Sequence, residues 1–121
     1  MKKKILIVED NEQDRKIMTR VLNKAGFKDI IAVVRGEDGV EKVKQDKPDL
    51  VVLDTVLPGI NGFETCSEIR KIAASKATKI IVTTGAVDAV DAGRARSAGA
   101  DDYVVKTSDF SHLLDAIKRI W

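Results

Sequence analysis

Short apolar runs alternate with segments of helical periodicity along the whole chain. Runs rich in Val and Ile predict five β-strands, at residues 4–8, 29–34, 50–53, 79–83 and 102–105. Runs of this length bounded by polar or turn residues are typical of strands. Because apolar residues follow one another without strict alternation, we expect strands covered on both faces, as in a parallel sheet.

The segments between these runs carry apolar residues at helical spacing. The clearest stripes are Ile17, Met18, Val21, Leu22 and Ala25 in the first, Phe63, Cys66, Ile69 and Ile72 in the third, and Phe110, Leu113, Leu114 and Ile117 in the last. A weaker pattern with Val40 and Val43 predicts a second helix within 36–46. An alanine-rich pattern interrupted by Gly93 predicts a fourth helix over 88–98, which should be the least firmly packed. The order predicts an α/β fold of (βα)₅ type with helices on both faces of a parallel sheet.

Length and composition favour a single soluble domain. A chain of 121 residues suffices for one compact core, so we expect one domain over 1–121. The net charge of +2, with both signs interspersed, gives no electrostatic case for direct nucleic-acid binding. No run approaches the ~20 apolar residues that span a bilayer, and no signal-peptide core is present. With a single cysteine, Cys66, these features predict a cytoplasmic protein without membrane insertion.

Polar side chains follow the predicted strands at their carboxyl ends, where ligands bind in open α/β sheets. Four of the five strands end this way, in Glu9 and Asp10, Asp54, Thr84, and Lys106. Clustered carboxylates repel one another unless a cation lies among them, and Mg²⁺ prefers such oxygen ligands. Zinc fits less well, because neither Cys66 nor His112 falls at a strand end.

The same residues suit the chemistry of a phosphoryl group. A metal ion, an ammonium and a hydroxyl stabilise dispersed negative charge, and a carboxylate such as Asp54 can accept a phosphoryl group as an acyl phosphate. Taken singly, the residues have ordinary explanations: Asp10 or Asn11 caps the first helix, Thr84 caps the fourth, and Lys106 lies on the surface. Their joint occurrence at the strand ends favours the functional interpretation.

The chain resembles the receiver domain of two-component response regulators, the family that includes the chemotaxis regulators. The resemblance covers essentially the whole chain and is carried by ILIVEDN at 5–11, VVLDTVLPGINGFE at 51–64, IIVTTG at 80–85 and SAGADDYVVK at 97–106. It implies a flavodoxin-like, doubly wound, five-stranded parallel sheet in the strand order 2-1-3-4-5.

The resemblance also implies a phosphoacceptor and a metal site. Asp54 would receive a phosphoryl group from a histidine kinase, a phosphotransfer protein or a small phosphodonor. Asp10 would bind Mg²⁺ directly and Glu9 would bind it through water. Asp54 and the backbone carbonyl of Val56 would complete the protein ligands.

A conformational switch is implied as well. Thr84 and Lys106 would each contact a phosphoryl oxygen, and Tyr103 would move together with Thr84. The surface of the fourth helix, fifth strand and fifth helix would then change and control a downstream effector protein or domain. Phosphorylation would favour the changed conformation, because it adds nearly two negative charges and three acceptor oxygens that can form new contacts.

The chain departs from the family pattern at several positions. Thr107 follows Lys106 where the family has a proline in a cis bond, and we expect a trans bond because a non-proline cis bond costs roughly 3 kcal/mol. Gly85 replaces the usual alanine and should open access to the phosphoacceptor. Val56 and Ala86 stand where family members carry polar side chains that orient the hydrolytic water. We therefore expect slow self-dephosphorylation.

Two other functions stay open at this point. A pseudo-receiver would keep the fold as a protein-binding module without phosphorylation, and Thr107 favours it. A Mg²⁺-dependent aspartyl phosphatase would use Asp54 as nucleophile and carry a second acid two residues later, in a DxD arrangement. Val56 occupies that second position here, which argues against the phosphatase. The leading interpretation is a signalling phosphoacceptor that assists its own phosphorylation and dephosphorylation, and not an enzyme in the ordinary sense.

The ends of the sequence favour a stand-alone receiver, because Met1 lies almost at the first strand and Trp121 closes the last helix. A domain cut from the front of a longer regulator would show the same pattern. We expect a monomer, and dimerisation on activation through the switch surface stays open.

Overall fold

The computed structural model describes residues 2–72, 76–86 and 88–121. Its strands are β1 (Lys4–Val8), β2 (Asp29–Val33), β3 (Leu50–Asp54), β4 (Lys79–Thr84) and β5 (Asp102–Val105). Its helices are α1 (Glu12–Lys24), α2 (Gly36–Asp46), α3 (Gly62–Lys71), α4 (Ala89–Ala98) and α5 (Ser111–Ile120). Every predicted element is present. β3 and β4 extend further than expected, through Asp54 and Thr84, so two of the candidate site residues lie on strands and not after them.

The strands form one parallel sheet in the order β2-β1-β3-β4-β5, which confirms the flavodoxin-like topology. Successive side chains of a strand point to opposite faces, so the sheet separates two cores. Ile5 and Ile7 of β1 contribute to a core with α1 and α5. Leu6 and Val8 contribute to the other core, with α2, α3 and α4. This division explains why the strand sequences are apolar without alternation.

Burial of the strands follows their position in the sheet. The residues of β3 are all buried, and those of β1 and β4 are buried after the first position. The edge strands β2 and β5 are mostly half-buried. The central strands therefore give the site at their carboxyl ends a backbone covered on both faces.

Helix α4 is the least firmly packed, as predicted. Of its described residues only Ala95 is buried, whereas each of the other four described helices buries at least two residues. The helix begins after Asp88, whose side chain caps the first turn, and ends at Gly99 with a φ of 103°. The Arg94 guanidinium of α4 lies 4.2 Å from the centre of the Phe63 ring of α3. Within the described ranges, no helix has both the length and the apolar character needed to cross a membrane.

Candidate functional site

The acidic residues of the site lie at the carboxyl ends of two neighbouring strands, β1 and β3. Val8 of β1 is paired in register with Leu53 of β3, so the next residues, Glu9 and Asp54, lie side by side. Asp10 follows at once. One ligand oxygen from each of the three carboxylates lies within 4.8 Å of the others. The structure therefore brings together the three acids that the sequence singled out.

Lys106 reaches this cluster from the end of β5. Its Nζ atom lies 2.5 Å from Glu9 Oε1 and 3.3 Å from Asp54 Oδ2, and a third carboxylate oxygen, Asp14 Oδ2, lies 3.1 Å away. The Lys106 backbone N–H donates to Thr84 O (2.7 Å), which ties the end of β5 to β4. Only 16% of the lysine side chain is exposed. The interpretation of Lys106 as an ordinary surface lysine is therefore wrong.

Burial and charge make the site strongly attractive to cations. Burial raises the pKa of Glu9 to about 7, the contact with Lys106 opposes the rise, and the charge of Asp54 adds to it. Burial disfavours the charged form of Lys106, but the hydrogen bond to Glu9 and the charge of Asp54 outweigh it and raise the pKa of the ammonium. One ammonium thus serves several acids, and a further cation would favour their ionised forms.

The backbone around Glu9 is fixed on several sides. Its N–H donates to Val33 O (3.0 Å), and its carbonyl accepts from Arg15 Nη1 (2.9 Å). Its Oε2 atom accepts from the Asn11 backbone N–H (3.2 Å). Asn11 also caps α1, accepting from the Asp14 N–H (2.9 Å), so the ordinary explanation holds for this residue.

Asp54 is held by the turn that follows it. The Thr55 N–H donates to Thr83 O (3.0 Å), and the Gly62 N–H donates to Thr55 O (3.1 Å). A Cβ atom at Gly62 would collide with the Asp54 carbonyl oxygen and would lie 2.9 Å from Thr55 Cα. The chain can return this closely because Gly59, with a φ of 77°, turns it in a conformation that favours glycine. Gly59 and Gly62 therefore allow the chain to pack against the backbone of Asp54 and Thr55.

Two further candidate residues lie beside the carboxylate cluster. Thr84 is buried at the end of β4, and its hydroxyl donates to Ala86 O (3.0 Å), so in this structure it is directed to the loop before α4. It does not cap α4, because Asp88 does. Val56 follows Asp54 by two residues and is 72% exposed.

Tyr103 lies on β5 beneath α4. Its ring packs against the core on the α2–α4 side, and its hydroxyl oxygen is buried without a hydrogen-bond partner among the described residues. A cavity of about 180 Å³ adjoins it, lined mainly by α4 and the start of β5. The aromatic ring thus has both an unpaired polar atom and space next to it.

The segment after Lys106 differs from the family pattern in chemistry. The described part of the chain contains no cis peptide bond, so the bond from Lys106 to Thr107 is trans, as predicted. The Thr107 hydroxyl donates to Asp109 Oδ1 (2.9 Å) and accepts from the Ser111 N–H (3.2 Å). Threonine therefore takes part in the start of α5, a role that proline at this position could not fill.

Asp14 is a site residue that sequence reasoning missed. It lies in the first turn of α1, the helix that follows directly on the strand end carrying Glu9 and Asp10. That closeness in sequence was the available signal. It was obscured because an acid in the first turn of a helix is common and stabilises the helix dipole.

Comparison with known proteins agrees with this geometry. The family model described as the response regulator receiver domain matches residues 5–118. Protein PilH of Pseudomonas aeruginosa is 34% identical over 117 residues, which are 97% of this chain and 96% of PilH. The transcriptional regulatory protein AfsQ1 of Streptomyces coelicolor is 38% identical over 112 residues. That match covers 93% of this chain but 48% of AfsQ1, so the chain spans about half the length of this relative.

Solved structures give the same fold. The chemotaxis protein CheY4 of Vibrio cholerae superposes with a TM-score of 0.92 over 100% of both chains. Its sequence identity is 23%, so it supports the fold alone. The family model, by contrast, spans nearly the whole sequence and includes each residue of the carboxylate cluster. The chain belongs to the receiver domain family of the response regulators of two-component signalling.

Proposed function

We propose that this receiver accepts a phosphoryl group on Asp54 in a Mg²⁺-dependent reaction and thereby changes the surface of α4, β5 and α5. The observation that carries the proposal is the convergence of Glu9, Asp10 and Asp54 on one edge of the sheet with the Lys106 ammonium among them. A nucleophilic carboxylate, metal-binding acids and a fixed cation are the parts that phosphoryl transfer requires.

The donor set fits Mg²⁺. Carboxylate oxygens are its preferred ligands. Burial raises the pKa of Glu9 and the charge of Asp54 adds to the rise, so an added cation would favour the ionised form of Glu9. We assign direct ligation to Asp10, Asp54 and the Val56 carbonyl, and ligation through water to Glu9. When bound, the ion would supply positive charge that stabilises the oxygens of the transferring phosphoryl group.

The chain's own residues account for the transfer. An Oδ atom of Asp54 attacks the phosphorus, and the bond from phosphorus to the donor atom breaks. That donor atom is a histidine nitrogen of a kinase or phosphotransfer protein, or an oxygen of a small acyl phosphate. It keeps the electron pair, and Asp54 becomes an acyl phosphate. Lys106 stays protonated because its pKa is raised, so it can pair with the added negative charge.

The switch follows from two polar groups. The Thr84 hydroxyl, now bonded to Ala86 O, would turn to a phosphoryl oxygen. This movement would leave room for Tyr103, whose buried hydroxyl lacks a partner among the described residues, an arrangement that costs about 1–3 kcal/mol. A ring that moves could expose the hydroxyl to water. The sparse packing of α4 suits a surface that shifts.

The partners follow from the family. Receiver domains of response regulators interact with histidine kinases and effectors, and we propose one partner of each kind for this chain. A single domain over 1–121, a cytoplasmic location and a monomer before activation stay predictions.

Mass spectrometry of the intact protein tests the proposal. The protein is incubated with Mg²⁺ and a small acyl phosphate, with Asp54→Asn as the control. We expect a mass gain of one phosphoryl group that persists in the wild-type protein and is absent from the variant. Continuous release of phosphate would instead indicate an aspartyl phosphatase, and no modification would indicate a pseudo-receiver.

A further inference from the structure

Lys106 contacts two acids of the proposed phosphoryl-transfer site, Glu9 and Asp54, and a third acid outside it, Asp14. Its ammonium carries three N–H donors, and carboxylate oxygens of three residues surround it. They are Glu9 at 2.5 Å, Asp14 at 3.1 Å and Asp54 at 3.3 Å. Of these three contacts, the one with Asp14 has hydrogen-bond geometry, with Nζ donating to Oδ2, and the other two are ion pairs.

These three partners differ in what else they serve. Glu9 and Asp54 belong to the group of acids that could hold a metal ion, and Asp14 does not. A divalent cation drawn to Glu9 and Asp54 competes with the ammonium for the same oxygens, and the two cations repel each other. Asp14 is then the carboxylate that remains for the lysine alone.

Asp14 is well placed to hold a partner in position. Its backbone N–H is bonded to the Asn11 side chain, and α1 is anchored in the core by Met18 and Leu22. Its side chain is 30% exposed, so the carboxylate is partly open to water and also contacts Lys106. The residue is thus attached to a rigid element and not to a loop.

We propose that Asp14 is a positioning residue that keeps the Lys106 ammonium beside Asp54 while Mg²⁺ occupies the acidic cluster. The proposal rests on the proposed function, because it assigns a role within the same phosphoryl transfer. In this role Asp14 does not touch the phosphoryl group. It limits the freedom of the lysine, so that the positive charge is already in place when the phosphoryl group arrives.

Glu12 provides a matched control. It lies in the same first turn of α1 and is 72% exposed, with its side chain 3.4 Å from Lys16. Glu12→Gln and Asp14→Asn therefore remove one negative charge each from the start of the same helix. Only Asp14→Asn removes a partner of Lys106.

The first test measures the initial rate of Asp54 phosphorylation at saturating Mg²⁺ in both variants, with and without Lys106→Met. We expect Asp14→Asn to lower the rate roughly fivefold, which corresponds to about 1 kcal/mol in activation free energy. Glu12→Gln should leave the rate near that of the wild type. In the Lys106→Met background, Asp14→Asn should no longer lower the rate, since the residue that it positions is gone.

The second test observes the lysine directly and does not depend on turnover. The side-chain ammonium of Lys106 should give a ¹⁵N–¹H signal in NMR spectra at low temperature with Mg²⁺ bound, because carboxylates protect it from exchange. The signal is assigned by its absence in Lys106→Met. We expect it to persist in Glu12→Gln and to broaden or vanish in Asp14→Asn.

The outcomes separate this inference from the proposed function. If the wild-type protein shows no Asp54-dependent phosphorylation, the proposed function fails and the inference falls with it. If the wild type is phosphorylated but Asp14→Asn behaves as Glu12→Gln in rate and in the ammonium signal, the inference alone is overturned. An equal loss of rate from Asp14→Asn in the Lys106→Met background would also overturn it.

Discussion

At the scale of single residues, the position of Asp54 depends on a side chain that is missing. Gly62 begins α3 and passes so close to the Asp54 carbonyl oxygen that a Cβ atom has no room. Gly85 follows Thr84 in the loop before α4. Among the described residues other than its two chain neighbours, no atom lies within 4 Å of where its Cβ would be, and its φ is not positive. The two glycines differ in surroundings and should differ in tolerance.

Gly62→Ala should lower the free energy of unfolding by about 1–3 kcal/mol, because the backbone of β3 or α3 must shift to admit the methyl group. Gly85→Ala should be neutral or slightly stabilising, since alanine restricts the unfolded chain without a clash. Urea unfolding followed by circular dichroism measures both. Equal stability of Gly62→Ala and the wild type would contradict the close approach.

Val56 and Ala86 govern the prediction for the lifetime of the signal. Both side chains are apolar and exposed, so neither can orient a water molecule by hydrogen bonding. Under the proposed function the acyl phosphate should persist, and Val56→Asn should shorten its lifetime roughly tenfold by positioning the attacking water. Loss of the phosphoryl mass over time measures this. Val56→Ala is the control, and a similar loss in both variants would argue against the role of the polar group.

Sequence reasoning located most of the candidate site because parallel strands bring their carboxyl ends to one edge. Glu9, Asp10, Asp54 and Lys106 converge for that reason. It missed Asp14, because its contact depends on where the start of α1 lies and on the reach of a lysine from β5, three strands from β1 in the sheet. The direction of the Thr84 hydroxyl was equally beyond reach, because a rotamer depends on its local partners.

At the scale of elements, α4 is the helix whose stability should respond most to a single substitution. Gly93 lies in its middle, where glycine is unfavourable, and outside the helix's own backbone no atom of the described residues lies within 4 Å of where its Cβ would be. The helix has few buried contacts that could compensate.

Gly93→Ala should stabilise the protein by about 0.5–1 kcal/mol, because alanine favours the helix and meets no clash. Amide hydrogen exchange in α4 should slow more than exchange in α5, which packs through Leu113, Ala116 and Ile117. Exchange measured by mass spectrometry of peptides from both helices tests this. If α4 is already as protected as α5 in the wild type, the view that it is loosely packed is wrong.

The elements themselves were predictable from periodicity, and their ends less so. Buried apolar runs located all five strands, but periodicity could not show that β3 and β4 keep pairing through Asp54 and Thr84. A polar residue can continue a strand when the adjacent strand supplies hydrogen-bond partners for its backbone, and the apolar pattern of the sequence does not reveal those partners. The weak pattern of α4 correctly indicated weak packing.

At the scale of the whole molecule, the acidic cluster would, under the proposed function, link metal binding to folding. Glu9 is 1% exposed and Asp54 is 7% exposed, so their mutual repulsion is screened little by water. An ion that binds this arrangement and not the unfolded chain stabilises the fold by mass action.

Mg²⁺ at about one hundred times its dissociation constant should therefore stabilise the protein by about 2.7 kcal/mol. Thermal unfolding with and without Mg²⁺, at constant ionic strength set with NaCl, measures the effect. Asp10→Asn should strongly reduce the stabilisation by Mg²⁺, because it removes a proposed ligand. Since Asp10 is exposed, the substitution should leave the core undisturbed. Glu12→Gln should keep the full response. A thermal midpoint that ignores Mg²⁺ in the wild type would count against the metal site.

The division of the interior by the sheet has a consequence for how such a protein can diverge. Among the described residues, the buried side chains on the side of α1 and α5 and those on the side of α2, α3 and α4 form two separate clusters. Volume changes in one core should then combine additively with changes in the other. Homologous sequences could therefore exchange the helices of one face by recombination and keep the packing of the other. Partner-binding surfaces could in this way evolve, or be engineered, one face at a time around an unchanged strand edge.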